Sequence, residues 1–134
     1  MNNTRDRILV VDDEAVVRDV TILELEYEEG FVCDPAINGK QALKMLEMSS
    51  YDAVLTDLRM PTLNGHALAV ELLTREDRPL IVVLTAVDEP KLARDLLTRG
   101  IDDIFLKPVN YRLLAVKLAA MIKQKKLAGT ATTR

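Results

Sequence analysis

Cys33 is the only cysteine in the 134 residues, so no internal disulfide can form, as suits a reducing cytoplasm. With one histidine and one cysteine, there is no cluster of the kind zinc requires. No apolar run approaches the roughly 18 residues a bilayer-spanning helix needs. The opening MNNTRDR has two arginines but runs straight into an apolar strand, so no export signal is expected. No glycine-rich phosphate loop follows that strand, which disfavours a nucleotide binder. A net charge of −3 gives no reason to expect nucleic-acid binding. The local basic run KQKK at 123–126 reads as a solvated last helical turn favoured by the helix dipole.

What is present is a regular alternation. Short apolar runs recur at 8–11, 31–35, 53–56, 80–85 and 103–106, with helical spacing between them. The first intervening segment predicts a helix with Val16, Val20, Leu23 and Tyr27 on its inner stripe and Gly30 as C-terminal cap. Asn38 is placed to cap the second helix, whose inner face carries Ala42, Leu43 and Leu46. Leu68, Leu72 and Leu73 turn inward on the third, and the fourth runs from about Glu89-Pro90 to Gly100. The fifth starts at Asn110 with Leu113, Leu114, Val116, Leu118 and Met121 on or near its buried side. The runs at 8–11, 53–56 and 80–85 are near-continuously apolar, as parallel strands covered on both faces must be. Right-handed crossovers then predict an α/β doubly wound, five-stranded parallel sheet in the order 2-1-3-4-5. Pro35 places the second strand at an edge. The expected domain spans residues 6–124, with 125–134 as a flexible tail or the start of a linker.

In such a sheet, ligands bind beyond the carboxyl ends of the strands. Strand one ends in Asp12 and Asp13, strand three in Asp57, strand four in Thr85 and strand five in Lys107. Any one of them alone is an ordinary helix cap or strand end; together, with a lysine opposing three acids, they point to a site. Two carboxylates about 4 Å apart repel by roughly 4 kcal/mol at an effective dielectric near 20. Such a cluster needs raised pKa values or a cation, and an all-oxygen set with room for water suits Mg²⁺. A lysine cannot ligate that ion and should meet an anion such as a phosphoryl oxygen. An acid nucleophile, a metal and a lysine together describe phosphoryl transfer to a carboxylate.

Four motifs, ILVVDDE, VLTDLRMPTLNG, VVLTA and FLKP, occur in this order with five-unit spacing. Over residues 6–124 the chain resembles the receiver domain of two-component response regulators, the CheY-like, flavodoxin-like class. The resemblance implies that Asp57 accepts a phosphoryl group from a phosphohistidine on a sensor histidine kinase or a histidine phosphotransfer protein. It implies Mg²⁺ held by Asp13, Asp57 and the Arg59 backbone carbonyl, with Asp12 acting chiefly through water. Lys107 and Thr85 would contact the phosphoryl group, Lys107-Pro108 would be cis, and Pro61 and Gly65 would shape the adjoining loop. The added charge would switch the surface of helix four, strand five and helix five, through which self-association is also expected. Such a domain assists its own phosphorylation and dephosphorylation but turns over no separate substrate, and it is cytoplasmic. Where receivers usually carry Tyr or Phe, three residues before the lysine, this chain has Ile104, with Phe105 next to it on the opposite strand face.

The weaker features divide. Glu14, Ala15, Arg18 and Ile22 resemble the exposed kinase-docking positions of helix one. Arg59 and Val87 either flank the phosphoryl group or are ordinary loop residues, and the two readings stand about even. His66 reads as a solvated surface histidine, Cys33 as a small apolar residue, and ELEYEE as a solvated face. The competing enzyme reading is a Mg-dependent phosphatase of haloacid-dehalogenase type. That class normally carries its nucleophile in a D-x-D at the first strand end, where this chain has adjacent acids.

Overall fold

In the computed structural model, residues 5–60, 63–86 and 90–132 are described. Five strands, β1 (Arg7–Val11), β2 (Val32–Ala36), β3 (Ala53–Asp57), β4 (Leu80–Thr85) and β5 (Asp103–Leu106), alternate with five helices. These are α1 (Ala15–Glu29), α2 (Gly39–Met48), α3 (Gly65–Leu73), α4 (Pro90–Arg99) and α5 (Tyr111–Thr132). All strand pairs are parallel, in the order β2-β1-β3-β4-β5, so the predicted architecture holds.

The side-chain alternation of a strand builds two cores from one sheet. Ile8 and Val10 face α1 and α5 with Leu25, Phe105, Leu114 and Leu118. Leu9 and Val11 face the other way, towards Ala42, Leu68, Leu72 and Leu96 of α2, α3 and α4. β2 lies at the edge, and Val32 donates its N–H to the Asp6 carbonyl. Alternation then turns the nitrogens of residues 33 and 35 to the open side. Pro35 therefore forfeits no ladder bond, and the Cys33 N–H is taken by the Glu26 carboxylate at 3.3 Å. The Cys33 thiol is buried as expected, its pKa pushed up to about 12 by burial and then by Glu26 and Asp34. Gly30, at φ 68°, ends α1 in the left-handed region and donates to the Glu26 carbonyl. Asn38, Asn64 and Asn110 accept N–H bonds from Gln41, Ala67 and Leu113, capping α2, α3 and α5.

Three expectations are corrected. On α1, the stripe Val16, Val20, Leu23 and Tyr27 faces solvent at 41–84% exposure; Thr21 and Leu25 are the buried residues, with Ile22 packed beside them. Thr21 turns inward because its hydroxyl finds Tyr111 Oη at 3.1 Å. On α5, Leu113 and Val116 are about half exposed, while Ala115 and Ile122 join Leu114 and Leu118 in the core. That helix also continues past residue 124 to Thr132, so KQKK is not its last turn, although all four residues are exposed. Lys125 binds the Arg78 carbonyl, and Lys126 pairs with Asp6 at 2.7 Å and Asp52 at 3.6 Å.

Candidate functional site

The strand ends converge as the topology requires. Asp57 closes β3 in register with Leu84 of β4, and Thr85 pairs with Leu106 of β5. One residue beyond, Lys107 donates its N–H to the Thr85 carbonyl, so the ladder continues and brings the lysine to the site. Its ammonium lies 3.2 Å from an Asp57 carboxylate oxygen. On the other side, the Asp12 N–H donates to the Ala36 carbonyl, extending β1 by one residue beyond Val11. Carboxylate oxygens of Asp12, Asp13 and Asp57 lie within 4.8 Å of one another.

The three acids have different environments. Asp12 and Asp57 are buried, at 3% and 9% exposure, whereas Asp13 faces solvent. Burial holds the Asp12 carboxyl above the usual carboxylate range, with Asp57 and Asp13 adding repulsion. The Glu14 N–H bonded to it and the Lys107 charge pull in the opposite direction. One lysine thus faces three acids. This donor set fits a hard divalent cation, with room left for water. An open cavity of about 410 Å³ lined by Asp13, Arg59, Met60 and Asn64 adjoins the cluster.

Backbone packing fixes Leu58, Leu63 and Gly65 beside the end of β3. Gly65 donates to the Leu58 carbonyl, and a Cβ on Gly65 would sit 1.8 Å from the Asp57 carbonyl oxygen. Any side chain there would push the loop off the phosphoacceptor candidate. The Leu63 carbonyl also accepts the Gly39 N–H, tying the loop to α2. The Thr56 hydroxyl donates to the Asp57 carbonyl at 3.0 Å. Lys107-Pro108 is cis, as expected. Thr85 is buried, with its hydroxyl on the Ala86 carbonyl at 3.2 Å.

The structure thus gathers Asp12, Asp13, Asp57 and Lys107, and seats Thr85 and Gly65 beside them. Pro61 and Val87 lie outside the described residues. Arg59 is exposed. Ile104 packs against the core under α2, α3 and α4, while Phe105 enters the opposite core with the Lys117 ammonium 5.5 Å over its ring. The docking expectation holds for the exposure of Glu14 and Ala15 only. Ile22 is half-buried against the α5 side of the core, and Arg18 donates to the Asp12 carbonyl at 2.8 Å. His66 is not a solvated residue either: its Nε2 lies 2.8 Å from Asp95 on α4, which also takes Arg99.

The sequence reading missed Arg18 as a support of the first strand end and Thr56 as a support of the second. A cation six residues after a strand-end acid was the available signal for Arg18, whereas a threonine inside an apolar strand gave none.

The family model for the response regulator receiver domain matches residues 8–119. The chain belongs to the response regulator receiver domain family. Response regulator MprA of Mycobacterium ulcerans is 34% identical over 121 residues, covering 90% of this chain and 52% of that protein. Transcriptional regulatory protein ResD of Bacillus subtilis is 32% identical over 125 residues, 92% of this chain and 51% of that one. The receiver thus spans about half the length of the curated relatives it matches. Among solved structures, the Francisella response regulator 1452 receiver domain superposes with a TM-score of 0.82 at 26% identity, covering 90% of this chain and 99% of that one. A Pseudomonas putida response regulator receiver protein gives 0.79 at 30% identity, with 90% and 99% covered. Receiver domains are regulators in two-component signalling and work with sensor histidine kinases. Among the described residues, no helix of this receiver is long and apolar enough to cross a membrane.

Proposed function

We propose that this receiver is a phosphoacceptor switch in which Asp57 takes the phosphoryl group of a phosphohistidine carried by a sensor kinase or a histidine phosphotransfer protein. The observation that carries this reading is the Lys107 ammonium 3.2 Å from Asp57, inside a cluster of three carboxylates. An Asp57 oxygen attacks phosphorus, the P–N bond of the phosphohistidine breaks, and its electron pair returns to the imidazole. The neighbouring ammonium compensates charge on the phosphoryl oxygens as they arrive. Asp13, Asp57 and the Arg59 carbonyl would hold Mg²⁺, with Asp12 acting mainly through water, and the ion supplies the positive charge that the acids and the phosphoryl oxygens lack. Thr85, one residue beyond β4's pairing with Asp57, exchanges its bond to the Ala86 carbonyl for one to the phosphoryl group.

The aspartyl phosphate hydrolyses without turnover of any separate substrate. Its added charge of about −1.5 to −2 biases the surface of α4, β5 and α5, where phosphorylation-dependent partners engage, a second copy included. Ile104 lacks an aromatic ring, so the signal travels through loop and helix motion. The setting is the cytoplasm. Acetyl phosphate with Mg²⁺ tests this reading by intact mass and site mapping. A single phosphoryl adduct on Asp57, absent from Asp57→Asn, is expected; an adduct elsewhere, or sustained turnover of p-nitrophenyl phosphate, contradicts it.

A further inference from the structure

A polar bond ties α3 to α4. His66 Nε2 lies 2.8 Å from an Asp95 carboxylate oxygen, and Arg99 Nε reaches the same oxygen from one turn along α4, also at 2.8 Å. The two helices that meet there are anchored very differently. α3 buries Gly65, Leu68, Ala69 and Leu72. Its first turn is seated on the end of β3: Gly65 donates to the Leu58 carbonyl, and a Cβ on it would collide with the Asp57 carbonyl. His66, the next residue, is thereby fixed in place relative to Asp57. Of the described α4 residues, only Leu96 is buried, with Ala93 and Asp95 half-buried and the rest exposed.

Thr85 closes β4 with its hydroxyl turned to the Ala86 carbonyl at 3.2 Å. The arrangement seen here is therefore the one that precedes the exchange to a phosphoryl oxygen. α4 is the helix that follows β4, and it belongs to the surface that phosphorylation biases. α3 cannot follow a displacement of α4, because it is wedged against Asp57 and held by the buried Leu68 and Leu72. A shift of α4 past α3 by about 1 Å already takes the His66–Asp95 contact beyond hydrogen-bond range. The bond thus belongs to one position of α4, and leaving that position costs it.

We propose that the His66–Asp95 bond is a latch on α4, closed while Thr85 is turned to Ala86 and broken when a phosphoryl group occupies Asp57. It rests on the phosphoacceptor reading and names the bond that the phosphoryl group works against. A latch that favours the unoccupied site lowers the affinity of Asp57 for a phosphoryl group, so cutting it raises that affinity. Arg99 holds Asp95 only within α4, so its bond resists no movement between the helices.

Beryllofluoride binding with Mg²⁺, measured calorimetrically on the whole chain at one pH, tests the latch. His66→Ala and Asp95→Ala should each bind this phosphoryl mimic about threefold more tightly than the parent. The double variant should gain no more than either single one, because both remove the same bond. Arg99→Ala, which removes a bond internal to α4, should bind as the parent does. His66 is the one histidine of the 134 residues, so its ring signals report the bond directly by NMR. In the parent, beryllofluoride should move them towards their positions in Asp95→Ala. Unchanged affinity in the single variants, additive gains in the double one, an equal gain in Arg99→Ala, or ring signals indifferent to beryllofluoride would overturn the latch and leave Asp57 as phosphoacceptor. A parent that binds no beryllofluoride would overturn the phosphoacceptor reading, and the latch with it.

Discussion

The two ends of the sheet use the same charged side chains to opposite effect. Below the amino ends of the strands, charges are matched. Arg7 pairs with Asp34 at 2.7 Å and lies over Tyr51, whose hydroxyl also reaches Asp34. Arg78 pairs with Asp102, which also accepts the Ile81 N–H, and Lys126 joins Asp6 and Asp52. Beyond the carboxyl ends, Lys107 faces Asp12, Asp13 and Asp57. A matched end holds helices and strands in place. An unmatched end keeps unspent charge, and folding supports it only because the packed sheet fixes where those acids stand. That difference separates a scaffold from a site.

Removing the lysine that meets Asp57 at the unmatched end should have the largest effect. Lys107→Ala should slow phosphorylation by acetyl phosphate about a hundredfold, read from the rate of adduct formation, while the fold persists. Next comes Gly65→Ala, whose Cβ would collide with the Asp57 carbonyl. It should both impair phosphorylation and destabilise the chain by roughly 2 kcal/mol or more in urea unfolding. At the matched end, Arg78→Ala leaves Asp102 without its ion pair and should cost about 1 kcal/mol of stability with no change in phosphorylation rate. A slower rate there would erase the distinction between the ends.

The smallest expected change runs in the other direction. The Asp12 carboxyl titrates above its ordinary range because it is buried among acids. A carboxyl raised in the folded state favours folding below the unfolded pKa, and that contribution is lost as pH rises through the folded value. At neutral pH without divalent cation, Asp12 is therefore a burden. Asp12→Asn should raise the melting temperature by a few degrees there, and the gain should vanish towards pH 4. A lower melting temperature at neutral pH would mean the three acids are already compensated.

Much of this arrangement was legible in the residues. β4 and β5 occupy the predicted 80–85 and 103–106 because buried parallel strands read as unbroken apolar runs between turns. The site was legible for a related reason: strand ends share one edge, so Asp12, Asp13, Asp57, Thr85 and Lys107 had to meet. The faces of the helices were not. α1 has apolar residues on two sides, and local periodicity favoured Val16, Val20, Leu23 and Tyr27. The inner face was decided by Thr21 and its hydroxyl contact 90 residues away. Lys126 was equally illegible, since its partner Asp6 lies 120 residues earlier. Contacts made across the fold by single polar groups leave no periodic trace.

The central claim is that the unmatched end is a cation and phosphoryl site organised by Asp57. Thermal unfolding with Mg²⁺, before and after addition of beryllofluoride as a phosphoryl mimic, tests it most directly. The melting temperature should rise with Mg²⁺ and rise again with beryllofluoride, and Asp57→Asn should lose the second rise completely. An unchanged parent protein, or an equal second rise in Asp57→Asn, would contradict the account.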